Sequence, residues 1–232
     1  YSSSNTGIAT VNSSSGASAS VAAGSTTITA SAAETNEYTS ASDSFTLVIN
    51  KKTLTASASA SNKTYDGGVS ATVTLTFSGL IGSETLGQSV SSTFSDENVG
   101  TGITVTVNSI TLSDGSNGGL ANNYSISSGQ TTTANITAKS VTVSGITASN
   151  KIYDSSTSST VNVSSASFSG IVSGDDLSVS ATGVFNNANV GSGKTVTLTS
   201  SYSGDDVNNY SITDQSSTTA NITKKSLTDT AS

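Results

Sequence analysis

The chain has 232 residues, of which 10% are charged and 5% aromatic, with no Cys, His, Pro, Met or Trp. The net charge is −7 and all eight basic residues are Lys, so no basic stripe is available for nucleic-acid phosphates or for an anionic membrane. Without His or Cys, Ser-His-Asp and Cys-His nucleophile systems, disulfides and imidazole or thiolate metal sites are excluded.

Few large apolar residues are on hand to fill one big core, so several thin sandwiches with narrow Val/Ile/Leu/Phe/Tyr cores fit better than a single domain. Disorder is disfavoured by the low charge and by the alternation of apolar residues with Thr and Ser. Apolar runs are only a few residues long, so no segment is predicted to insert in a membrane. A start at Tyr1 without Met reads as a piece of a longer protein, whose missing targeting signals say nothing about location.

Along the chain, the first 50 residues contain strand-like stretches at Ile8-Ala9-Thr10-Val11, Val21 to Ala30 and Phe45-Thr46-Leu47-Val48-Ile49. They are too short for a complete sandwich and read as the C-terminal part of a domain. A repeat follows. Ser-Asn-Lys-x-Tyr-Asp at Ser61 to Asp66 returns at Ser149 to Asp154, and Phe-Ser-Gly at Phe77 to Gly79 returns at Phe168 to Gly170. Asn98-Val99-Gly100 returns at Asn189 to Gly191, and Asn-Asn-Tyr-Ser-Ile at Asn122 to Ile126 returns at Asn208 to Ile212. The final strand motif at Thr132 to Thr137 returns at Thr218 to Thr223, and Lys225-Ser226-Leu227-Thr228 reads as a third start.

Within each copy Val73, Leu75 and Phe77 alternate with Thr, as do Ile103, Val105 and Val107, and Val196 and Leu198, which is the period of half-buried antiparallel strands. Turn residues punctuate them at Asp66-Gly67-Gly68, Asp114 to Gly119, Gly174-Asp175-Asp176 and Gly204-Asp205-Asp206. No stretch has a helical period. Six or seven short strands per unit predict an all-β fold of tandem Ig-like antiparallel β-sandwiches, end to end as a rod. Short linkers such as Thr137-Ala138-Lys139, without Gly or Pro, make that rod semi-rigid.

Asn62-Lys63-Thr64-Tyr65-Asp66-Gly67 and Asn150-Lys151-Ile152-Tyr153-Asp154-Ser155, with the later Asn-Val-Gly and Asn-Tyr-Ser-Ile segments, resemble the YDG repeat of large bacterial adhesins and haemagglutinin-like exoproteins. Ser155 stands where the motif has Gly, which predicts a turn of different shape. The opening Ser-Ser-Ser-Asn…Ile-Ala-Thr-Val and Ala-Gly-Ser-x-x-Ile-Thr-Ala stretches resemble the back half of a bacterial Ig-like group 2 domain. The expected organisation is residues 1–52 as that partial domain, 53–138 and 139–224 as two YDG-type repeats, and 225–232 as the first strand of another. The resemblance implies an extracellular stalk, on a bacterial cell surface or secreted, with no catalytic residue to transfer.

Asp175-Asp176 and Asp205-Asp206 are the best acidic clusters, but they sit in turns with no aromatic wall to raise a pKa. Their chemistry suits structural calcium better, with Asp175, Asp176, Asp205, Asp206 and Asn208 as candidate ligands. Glu84 occupies the place of Asp175 in the first copy. The Tyr65-Asp66 and Tyr153-Asp154 pairs are expected to be structural, with Tyr plugging the end of the sandwich and Asp capping the turn. Lys52 or Lys139 with Asn135 or Asn221 could form an isopeptide cross-link only if buried beside a carboxyl group. No other cofactor is expected. The expected function is a non-catalytic stalk whose partners are adjacent repeats and other surface fibres or glycans. Rival readings are a module binding glycan, host protein or ice through flat Thr rows, and an accessory part of a secreted enzyme.

Overall fold

A computed structural model describes residues 1–228. Among them the chain is all-β, the exceptions being short 3-10 turns at Ala121–Asn123 and Val207–Asn209. Among the described residues no helix is long and apolar enough to cross a membrane. Two compact units divide the described residues: one comprises Tyr1–Ser61, Ser70–Ser95 and Thr104–Thr133, the other Asn62–Val69, Asp96–Ile103 and the described residues from Ala134 onward. The division cuts through the first repeat, grouping its Tyr-Asp loop and its Asn-Val-Gly loop with the second repeat.

In the first unit, strand Gly24–Ala32 lies between Ser2–Ser3 and Ala41–Ile49, and Ala9–Val11 forms a hairpin with Ser18–Ser20. The buried Thr26 hydroxyl ties this segment together through Ser3, Ser4 and the Asn5 N–H, all within 3.1 Å. Phe45 and Val48 stay exposed. Strand Thr55–Ala60 pairs with Val73–Ser78, and Leu86–Phe94 pairs with the Thr104–Asp114 stretch across a bulge at Ser91/Ser92. Alternation works here as read from sequence: Val105 and Val107 are buried while Thr104 points out.

In the second unit two sheets face each other. One has the order Ser167–Ser169, Lys139–Ser144, Tyr210–Thr213; the other is five-stranded and centres on Gly191–Ser203. Val143 and Ile146 pack against Phe185, Val196, Leu198, Ala220 and Ile222 as the core between them. Burying such apolar area, at about 25 cal/mol per Å², drives a thin sandwich of this kind.

The expectation of purely antiparallel sheets is corrected. Lys139–Ser144 runs parallel to Tyr210–Thr213, Lys151–Ile152 parallel to Ser217–Thr223, and Lys52–Thr53 parallel to Tyr124–Ser125. In each case an early strand of a repeat joins a late one, and the many residues between them supply the crossover that parallel pairing needs. Residues 225–228 form no strand, Leu227 is fully exposed, and the rest of the expected 225–232 strand lies outside the described residues.

Candidate functional site

The Asn-Lys-x-Tyr-Asp motif begins as a set of backbone clamps. The Asn62 side-chain oxygen accepts the Asn135 N–H at 2.7 Å, and Asn150 accepts that of Asn221 at 2.7 Å. The Asn135 and Asn221 oxygens in turn accept the N–H groups of Gly102 and Gly193, at 2.8 and 2.7 Å. The two Asn suggested for cross-linking thus spend their amide oxygens on turns.

Lys63 bridges Asp66 at 2.6 Å and also donates to the Gly68 carbonyl, while Lys151 bridges Asp154 at 2.8 Å and donates to the Ser156 carbonyl. The ammonium holds each Asp carboxyl below its usual range, helped by the N–H of Gly68 or Ser156. Asp66 and Asp154 cap the turn as expected. The expected difference in turn shape does not hold: Gly67 has φ +74° and Ser155 φ +62°. The lysine and aspartate fix the loop tightly enough to hold a serine in the left-handed region.

The tyrosines part company. Tyr65 is 4% exposed, as a plug should be, but Tyr153 is 40% exposed, which corrects the expectation for the second copy. Within the second unit the Tyr65 hydroxyl donates to Asp175 Oδ2 at 2.9 Å, and the same oxygen accepts from Tyr210 at 2.5 Å. The two rings meet edge to face with centroids 5.5 Å apart, a favoured aromatic geometry. The Tyr210 oxygen also accepts the Val172 N–H at 2.9 Å. Burial, and then the hydrogen bond to Asp175, push both phenols up, Tyr210 to about 12. Beside them the buried Asn209 accepts the Val99 N–H at 2.9 Å and donates to the Asn98 side chain at 3.0 Å. This is a socket: Val172, Asp175, Asn209 and Tyr210 of the second repeat receive Tyr65, Asn98 and Val99 of the first.

The first unit contains the equivalent socket. Tyr124 donates to Glu84 and accepts the Ile81 N–H at 3.1 Å, and Asn123 accepts the Ala23 N–H at 2.8 Å. Burial raises the Tyr124 pKa, with Glu84 adding to it. In place of an entering aromatic ring, Ala22, Ala23, Ile49, Ile81 and Asn123 border a cavity of about 170 Å³.

The calcium candidates lie in two neighbouring turns. Asp175 is taken up by two phenols, the Asp206 carboxylate accepts the Asp176 N–H at 2.8 Å, and Asp205 and Asn208 are exposed. Gly204, with φ +124°, carries the Asp205-Asp206 turn where a Cβ would collide with the Asp176 carbonyl. Among the described residues no group of three or more acidic side chains is placed to hold a metal. The Thr72/Thr74/Thr76 and Thr195/Thr197/Thr199 rows are exposed.

Two stretches, residues 50–134 and 137–220, match the family model of the YDG domain, well over half of the chain. The chain belongs to the YDG domain family. No curated protein matches it. Both YDG copies carry the clamp, the Lys-Asp loop and the Tyr/acid socket. The equivalence of Glu84 with Asp175 was legible from the two copies laid side by side, since each acid lies seven residues after the Phe of Phe-Ser-Gly. The role of Asn123 and Asn209 was missed. Its one signal was an Asn directly before a buried Tyr in both copies, which turn composition masked.

Proposed function

We propose that the chain is a structural stalk segment of a large repetitive bacterial surface or secreted adhesin, extending an adhesive region away from the cell. The observation that carries this reading is the Tyr65–Asp175–Tyr210 contact, which joins one repeat to the next through buried, hydrogen-bonded side chains. A single residue separates strand Thr131–Thr137 from Lys139–Ser144, which leaves little freedom for one repeat to swing. The residues common to both copies are spent on clamps, turns and this contact, as suits a part whose task is mechanical.

In this reading residues 1–52 are the back half of an Ig-like group 2 domain, with the exposed Phe45 and Val48 on opposite faces of strand Ala41–Ile49. The tandem repeats form an end-to-end rod, located outside the cell. Small-angle X-ray scattering on the chain, with and without Ca²⁺, tests this. Elongated scattering in both conditions is expected; a compact globule in both overturns the stalk. The exposed threonine rows favour a second reading, a flat glycan- or ice-binding face. A glycan array and an ice-shaping assay that are both silent exclude it.

A further inference from the structure

The second repeat carries the same plug as the first and holds it out to solvent. Tyr65 is 4% exposed in its socket, while Tyr153 is 40% exposed. Val99 is half-buried with its N–H on Asn209, whereas Val190, its counterpart, is 45% exposed. Ile152 adds a further exposed apolar side chain. Yet the loop beneath Tyr153 is built like that beneath Tyr65, with the Lys151–Asp154 bridge, the Asn150 clamp and a left-handed residue after the Asp. A loop held this firmly, with an aromatic residue presented to solvent, is pre-organised for a partner rather than ordered by one.

We propose that the Tyr153/Val190 end of the second repeat is a docking surface for a further YDG repeat, which receives Tyr153 in a socket of an acid and an Asn-Tyr pair. The proposal rests on the stalk reading and specifies how its repeats are joined. The occupant follows from the molecule itself: the group that takes this plug in the chain is the Asp175/Asn209/Tyr210 socket, and its chemistry is a carboxylate for the phenol, an edge-to-face ring and an amide for the valine N–H. A YDG repeat carries both halves of the joint, a socket to receive the plug before it and a plug of its own. Each docking therefore leaves a new plug free, and the joint can recur.

The test uses the full chain and the full chain lengthened by a second copy of residues 139–224 placed after Lys224, the added copy carrying Ser165→Thr at an exposed position so that the two Tyr153 peptides differ in mass. Tyrosine nitration by tetranitromethane is followed by peptide mass spectrometry, with exposed Tyr38 and buried Tyr65 as internal standards. In the lengthened chain the inner Tyr153 is expected to react roughly tenfold or more slowly than the outer one, as local protection of a buried group requires. Asp175→Ala in the added copy should return much of that reactivity without altering Tyr65. Should the added copy leave its own Tyr210 reactive, and so be unfolded, residues 53–138 with the Tyr124/Glu84 socket are placed there instead. An inner Tyr153 as reactive as the outer one behind a folded added repeat overturns the proposal. Elongated scattering with a reactive inner Tyr153 sinks the docking alone, whereas compact scattering with a protected Tyr153 sinks the stalk and keeps the docking.

Discussion

The two sockets of this chain are built from the same residue types and filled differently. In the second unit a Tyr from the preceding repeat enters, shares a carboxylate oxygen with Tyr210, and brings Val99 onto Asn209. In the first unit the opening segment offers Ala23 to Asn123 and leaves a cavity of about 170 Å³ beside exposed Ile81. The part common to both joints is therefore one backbone N–H on an Asn oxygen. The aromatic plug is added only where a YDG repeat precedes. The joint to the opening segment has the hydrogen bond without the packing, and is expected to be the weaker of the two.

Tyr65→Ala should lower the unfolding free energy of the second unit by about 3 kcal/mol, because a buried ring is lost and a cavity left. Tyr153→Ala should cost less than about 0.5 kcal/mol. Denaturant titrations in which the two variants lose equal stability would show that the joint contributes nothing.

Alkaline pH comes next. The buried phenols favour their protonated form in the folded state, with Tyr210 raised from 10.0 to about 12. Their contribution is fully present below pH 10 and is lost as pH rises through the folded value, since a phenolate would face the Asp175 carboxylate. The melting temperature should thus hold to about pH 10 and then fall towards pH 12. Asp175→Asn, which removes that repulsion, should soften the fall.

Asn209→Ala should cost about 1–2 kcal/mol, as it orphans the Val99 N–H and the Asn98 amide oxygen beside a buried position. Asn123→Ala, which strands one N–H at a half-buried position, should cost about 1 kcal/mol or less. Equal losses would mean that the two joints are equivalent despite the Tyr.

Smaller effects belong to the loop. Gly67→Ser should lower stability by about 1 kcal/mol, since φ there is left-handed and its Cβ would press on Val172; Ser155→Gly should raise it by up to about 0.5 kcal/mol. The smallest is a titration. Asp66 sits below 3.8 by virtue of Lys63, so its share of stability is present above that value and fades as pH falls through the folded pKa. Lys63→Ala should return the Asp66 resonance in a carbon-detected NMR titration towards 3.8.

Much of this architecture is legible in the amino-acid sequence itself. Period-2 runs such as Thr104 to Val107 mark strands and their buried side, because side chains alternate across a strand whatever the fold. Repetition exposes the Asn-Lys-x-Tyr-Asp loops, the Tyr pair at Tyr124 and Tyr210, and the matching of Glu84 with Asp175. The absence of His and Cys removes whole classes of chemistry outright. These are properties of composition and short range, where a residue's neighbours in sequence are its neighbours in space.

Tertiary structure alone decided the rest. The parallel pairing of first with late strands leaves no mark on local periodicity, since both directions share the period of two. Asp175 stands in a turn without an aromatic wall in sequence; Tyr65, which supplies one, comes from 110 residues away. The sharpest case is that of Tyr65 and Tyr153, alike in sequence and loop geometry, one buried and the other open. Sequence determines that each repeat presents such a tyrosine, but whether it is buried depends on what stands next to it, and burial is a property of the assembled chain.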